Sequence, residues 1–112
     1  MSSASAGLPV ADPAPVFAAL GDRTRLSLLT RLSDGQRRSI SKLSADTRLT
    51  RQAVTKHLHV LQSAGLVNRD RVGRESLFSY RPEPIGMAMS YLDTVSAQWD
   101  DALWRLRTLV ED

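Results

Sequence analysis

The run Thr50–Ala64 is bounded by chemistry that leaves the backbone one choice. Thr50 can accept from a free amide of a first helical turn, Leu49 and Val54 can pack across it as a hydrophobic staple, and Gly65 ends the run. A helix is expected from Thr50 to Ala64. At about 100° per residue, Val54, Leu58 and Leu61 share one side, and Gln52, Thr55, Lys56 and His59 project from the opposite one. The helix must therefore bury one face and offer hydrogen-bonding side chains on the other.

The rest of the chain supplies what that helix packs against. Pro13–Leu20 reads as a short first helix with Val16, Phe17 and Leu20 at helical spacing, stopped by Gly21. Asp22 caps a second helix carrying Leu26, Leu28, Leu29 and Leu32, which ends at Ser33-Asp34-Gly35. Ser39 caps a third, short helix that buries Ile40 and Leu43, and Thr47-Arg48-Leu49 form the tight turn into Thr50. Beyond Gly65 the period changes to that of strands, Leu66–Asp70 and Glu75–Tyr80, with Arg71-Val72-Gly73-Arg74 as the hairpin turn and no other β signal. Pro82 and Pro84 then precede a long last helix. In it Ile85, Met89, Leu92, Ser96, Trp99, Leu103, Leu106 and Val110 recur at spacings of four and three, a heptad seam that is apolar except at Ser96. This is more apolar surface than a small core can cover, so a second copy of the chain is the expected partner.

A short helix, a tight turn, a capped helix and a hairpin form a winged helix-turn-helix, mainly α with one small β-hairpin. Residues 1–12 are expected to be a flexible tail and residues 13–112 a single unit. Charge assigns the surfaces. From Arg48 to Arg74 six basic residues stand against one acid, Asp70, whereas from Glu83 onward six acids face only Arg105 and Arg107. A basic middle and an acidic end suit a molecule that meets a polyanion on one side only. Gln52, Thr55, Lys56 and His59 have the donors and acceptors that base edges require. Thr50 and Arg51 lie where helix amides favour a phosphate, and Arg69, Arg71 and Arg74 would run along the duplex backbone or into its minor groove. Double-stranded DNA is the partner these features imply. The competing reading, a winged helix that docks a protein, has no need of a basic wing.

Other chemistries find no support. The absence of cysteine removes disulfides, thiolate metal sites and catalytic thiols. His57 and His59 are two apart on a helix and face different ways, so no shared metal ion is expected, and His57 is assigned to the core edge. Trp99 and Trp104 read as packing residues. Glu75, Asp93, Asp100 and Asp101 lack a partner base, and Gly21-Asp22-Arg23-Thr24 lacks the spacing and lysine of a phosphate loop. No enzyme or cofactor is expected. With no signal peptide and no membrane-spanning stretch, the expected location is cytoplasmic.

The runs Ala19–Arg25, Ala53–Leu61 and Ala64–Val67 resemble the ArsR family of bacterial winged-helix repressors, over about Pro13 to Tyr80. Arg81-Pro82-Glu83-Pro84 and the tryptophan-bearing last helix resemble a subgroup often encoded beside START-type ligand-binding proteins. The resemblance implies a homodimer that represses its own or a neighbouring operon, and the two-fold symmetry of a dimer predicts an inverted-repeat operator. Its interface would combine the first helix, through Phe17 and Leu20, with the last, through Leu92, Trp99, Leu103 and Leu106. It names no inducer. Where metal-sensing members carry cysteines, this chain has Ser39 and Ser41, and its last helix holds no histidine, so control by metal is not expected.

Overall fold

The computed structural model describes residues 12–111, so the expected tail lies almost wholly outside the described residues. The order is α1 (Ala14–Leu20), α2 (Arg23–Leu32), β1 (Arg38–Ser39), α3 (Ile40–Thr47), α4 (Arg51–Ser63), β2 (Val67–Val72), β3 (Glu75–Tyr80) and α5 (Glu83–Glu111). The strands form one antiparallel sheet in the order β1-β3-β2.

The caps decide where the helices begin. Asp22, Ser39 and Thr50 each hold extended backbone and accept, through the side chain, from the amides of Arg25, Lys42 and Ala53 at 3.0, 3.1 and 3.1 Å. α4 ends in a Schellman motif. Gly65, at φ +76°, donates to the Gln62 carbonyl, and Leu66 donates to that of Leu61, both at 2.9 Å. The leucines that flank this motif are fully buried, so the helix stop also anchors the wing to the core.

One apolar cluster joins the helices to the sheet. Leu28, Leu32, Leu43, Val54, Leu58, Leu61 and Leu66 are its fully buried centre, with Val16, Ala19, Val67, Phe78 and Ala88 around them. Truncating such a leucine to alanine costs about 2–5 kcal/mol. Arg25 closes one corner. Its guanidinium donates to the carbonyls of Ala19 (2.7 Å) and Ala18 (3.1 Å), satisfying the C-terminal end of α1 and tying it to α2.

Several elements differ from the sequence expectation. β1 is a third strand that two residues are too short to signal; it pairs Arg38 with Phe78 and Ser39 with Leu77. β2 starts at Val67, because Leu66 is taken up in the helix stop. It runs on to Val72, so the expected four-residue turn shrinks to Gly73-Arg74. Gly73, at φ +62°, occupies the first turn position, the pattern of a type II′ hairpin. Leu26 is not a core residue and stays 45% exposed. Pro84 lies inside the first turn of α5 rather than ahead of it, where its missing N–H costs nothing.

The last helix outruns the body. Ala88 is buried, Ile85 is half-buried and the Tyr91 ring sits 6.1 Å from that of Phe17. From Leu92 onward α5 projects for about 30 Å at 1.5 Å per residue. The radius of gyration is accordingly 18.9 Å, against about 13 Å for a compact chain of roughly 100 residues.

A second tie closes the loop after α2. Arg38 grips both carboxylate oxygens of Asp34, at 2.9 and 2.8 Å, and donates to the Arg31 carbonyl at 2.6 Å. That side-chain grip, helped by the Gln36 amide, lowers the Asp34 pKa to about 2. A carboxyl depressed in the folded state stabilises the fold above its ordinary pKa of 3.8, and loses that contribution as pH falls through about 2. Asp34→Asn should therefore lower the melting temperature at pH 7 and leave it near wild type at pH 2, as read by circular dichroism melts across that range.

A candidate DNA interface

α4 presents its polar face because the opposite face is held by the core. Val54, Leu58 and Leu61 have no exposure, whereas Gln52, Lys56 and His59 are exposed and Thr55 is half-buried. The turn ahead of it is fixed by short bonds. The Ser44 hydroxyl donates to the Leu49 carbonyl, and that of Thr47 donates to the Leu43 carbonyl at 2.6 Å. Leu49 packs against the core beside them. Thr50 caps the Ala53 amide and its carbonyl accepts from Val54 at 3.0 Å, which leaves the amides of Arg51 and Gln52 as the helix donors for an incoming anion.

Five of the expected DNA-contacting residues share one open concavity. Thr50, Arg51, Gln52, Thr55 and Lys56, with Ala53, line a groove of about 740 Å³. Thr55 contributes less than expected, since its hydroxyl donates to the Arg51 carbonyl at 2.7 Å and keeps only its acceptor capacity for a base. His59 is set apart. It borders a second groove, about 450 Å³, between α1 and the C-terminal half of α4, beside Arg25, Val60 and Ser63.

The two histidines do face different ways. His57 is half-buried with Nδ1 3.8 Å from Asp22, on the α2 side of the helix. The Asp22 carboxyl is held below its usual range, first by the Arg25 amide and further by the charges of Arg25 and His57.

The wing carries the expected arginines into solvent. Arg69 and Arg71 share the sheet face of Val67 and Phe78, but lie beyond the core that buries it. Arg69 donates from Nε to the Ser76 hydroxyl at 3.1 Å, and Arg74 sits in the exposed turn. Arg37 reaches Asp70 at 4.0 Å, an exposed pair of little energetic weight.

Sequence reasoning did not pick out the Arg25 grip on α1, nor the left-handed backbone of Arg48 at φ 60°. A signal for the second was available: Arg48 ends α3 at the place where a helix calls for glycine.

Comparison with known proteins agrees with this geometry. A model of the helix-turn-helix domain matches residues 20–70. The Bacillus subtilis protein YuzN, an uncharacterized HTH-type transcriptional regulator, is 38% identical over 76 residues, which are 62% of this chain and 83% of YuzN. An ArsR-like transcriptional regulator from Rhodococcus sp. RHA1 superposes with a TM-score of 0.78 at 37% identity, over 87% of this chain and 91% of its own. The chain belongs to the ArsR family of winged helix-turn-helix transcriptional regulators. A homodimeric winged helix-turn-helix DNA-binding domain from Mycobacterium bovis, Mb0332, shares the fold at TM-score 0.61 and 25% identity, over 76% of this chain and 78% of its own. This ArsR-family chain is thus a DNA-binding transcriptional regulator and not an enzyme. None of its described helices is long and apolar enough to cross a membrane.

The contacts are separable by experiment. Gln52→Ala or Lys56→Ala should cost about 1–3 kcal/mol on the operator and relax one base position, while Arg71→Ala should weaken all duplexes alike and reduce the salt slope by about one. Fluorescence anisotropy at several salt concentrations, on operator and scrambled duplexes, distinguishes the two classes.

Proposed function

We propose that this regulator is a homodimeric repressor. It reads an inverted-repeat operator through Gln52, Thr55, Lys56 and His59, with Thr50, Arg51, Arg69, Arg71 and Arg74 on the backbone. One observation carries the reading: the apolar stripe of α5 continues past the body. Trp99 is 65% exposed, Leu103 57% and Val110 78%, on the same helical face that buries Ala88 and packs Ile85 near the start. A face that is core at one end and bare at the other is completed by a copy of itself, with Phe17 and Leu20 of α1 at its inner edge. Two-fold pairing presents two α4 helices to successive major grooves about 34–36 Å apart, which an inverted repeat matches. The M. bovis domain that shares the fold is homodimeric, which supports the same arrangement. Repression then follows from occupancy of the promoter, in the cytoplasm where the chromosome lies.

Release from DNA does not depend on a transition metal in this reading. The chain offers no thiolate and two histidines that point apart, and Ser39 and Ser41 stay protonated at neutral pH. Carboxylates such as Asp93 and Asp100 suit hard ions instead.

Leu103→Asp places an unpaired charge in the proposed seam and should weaken dimerisation by about 3 kcal/mol or more. Sedimentation and operator titration should show monomer and weakened binding together. A monomeric wild type that binds the inverted repeat tightly would refute the reading. Zinc, cadmium, copper, nickel and arsenite, each at micromolar free concentration, should leave the operator complex intact, and reversible stoichiometric release by any of them would refute metal independence.

A further inference from the structure

Three arginines outside the expected recognition set converge on one polar groove. Arg23 and Arg31 of α2 and Arg48 of the helix-turn-helix turn line a space of about 280 Å³, together with Thr24, Ser27 and Thr47. All three arginines are exposed, and none has a carboxylate within 4.0 Å among the described residues. Outside α4 and the wing, the other arginines each have a partner: Arg25 the end of α1, Arg37 Asp70, Arg38 Asp34, Arg81 Glu83, Arg105 Asp101 and Arg107 Glu111. The acid at the rim, Asp46, is turned to Lys42 Nζ at 3.4 Å. The Thr47 hydroxyl is spent on the Leu43 carbonyl, so the neutral donors left to the groove are those of Thr24 and Ser27.

Three like charges around a small space repel one another until an anion sits among them. The backbone at Arg48 points the same way. It is the only non-glycine residue with positive φ among the described residues, at a position where glycine would be less strained, and a guanidinium stands there instead. Thr47, Arg48 and Leu49 run directly into the Thr50 cap, so the groove opens beside the end of α4 that faces an incoming anion.

We infer that the groove formed by Arg23, Arg31 and Arg48 with Thr24 and Ser27 holds a duplex backbone phosphate at the edge of the major groove that α4 enters. This rests on α4 being the recognition helix. A guanidinium pair can take two oxygens of such a phosphate in fork geometry, while the hydroxyls donate to the same group. The contact carries no base information, and it fixes how far α4 enters the groove.

Arg48→Gly tests this in the full-length protein, because the left-handed backbone is easier for glycine and the fold should be retained, with a melting temperature no lower than wild type. The expected result is a roughly tenfold weaker affinity for operator and scrambled duplexes alike, and a salt slope lower by about one. Arg48→Lys should restore the slope. An unchanged slope in Arg48→Gly overturns the inference. If Lys56→Ala still loses sequence discrimination in that case, the recognition helix stands and the groove assignment alone falls. If Lys56→Ala and Arg71→Ala also bind as wild type, both fall together. Calorimetric titration of inorganic phosphate into DNA-free protein separates the two sources of phosphate. No binding tighter than millimolar is expected, and a micromolar site abolished by Arg48→Gly would overturn the duplex assignment in favour of a small phosphorylated ligand.

Discussion

The burial of Leu58 and Leu61 against Leu28, Leu32, Leu43 and Leu66 is the interaction on which the rest of this molecule depends. It fixes the rotation of α4, and rotation decides which side chains reach outward. Were the helix turned by one residue, about 100°, Gln52 and Lys56 would no longer share the outer face. The same packing sets the wing, because Leu66 is at once the end of the Schellman motif and the residue before β2. One apolar contact thus aligns the polar face of α4, the proposed recognition surface, with a basic hairpin that is separate in sequence.

Much of this arrangement was legible in the residues. Asp22, Ser39, Thr50 and Gly65 mark helix ends through side-chain oxygens or a missing Cβ, and these are local effects that survive in the folded chain. The alternation of buried and outward residues on α4 was legible for the same reason. What could not be read depends on distant partners. β1 exists because Phe78 and Leu77 offer ladder groups to a two-residue segment that has no period of its own. Leu26 falls outside the core because the angle of α2 against its neighbours, not its hydropathy, selects Leu28, Leu29 and Leu32. The Arg25 grip on Ala18 and Ala19 likewise needs α1 and α2 already in place. At the interface itself, the sequence placed Thr55 and His59 beside Gln52 and Lys56. In three dimensions the Thr55 donor bonds its own helix, and the exposed His59 borders a groove shared with α1 rather than the concavity of Gln52 and Lys56.

Charge and hydropathy divide the molecule between two ends. Basic residues line α2, the turn, α4 and the wing, while α5 combines an apolar stripe with Asp93, Asp100, Asp101 and Glu111. In the proposed dimer, acids along α5 would keep that helix away from a polyanion while its apolar side is covered by a second copy. Trp104 stands off the stripe, where it borders a shallow groove with Arg105, Thr108 and Leu109. The proposed two-fold pairing joins these ends: α5 holds two bodies together so that two α4 helices act on one duplex.

The spacing of those helices tests the account most directly. The chain has no cysteine, so Gln62→Cys at the exposed end of α4 can be spin-labelled at that site alone. Double electron–electron resonance on the operator complex should give one narrow distance distribution near the helical repeat of B-DNA, about 34–36 Å plus the few ångströms that the labels add. A complex that binds its operator with no intermolecular coupling, or with a distance that does not match one turn of the duplex, would contradict the paired arrangement.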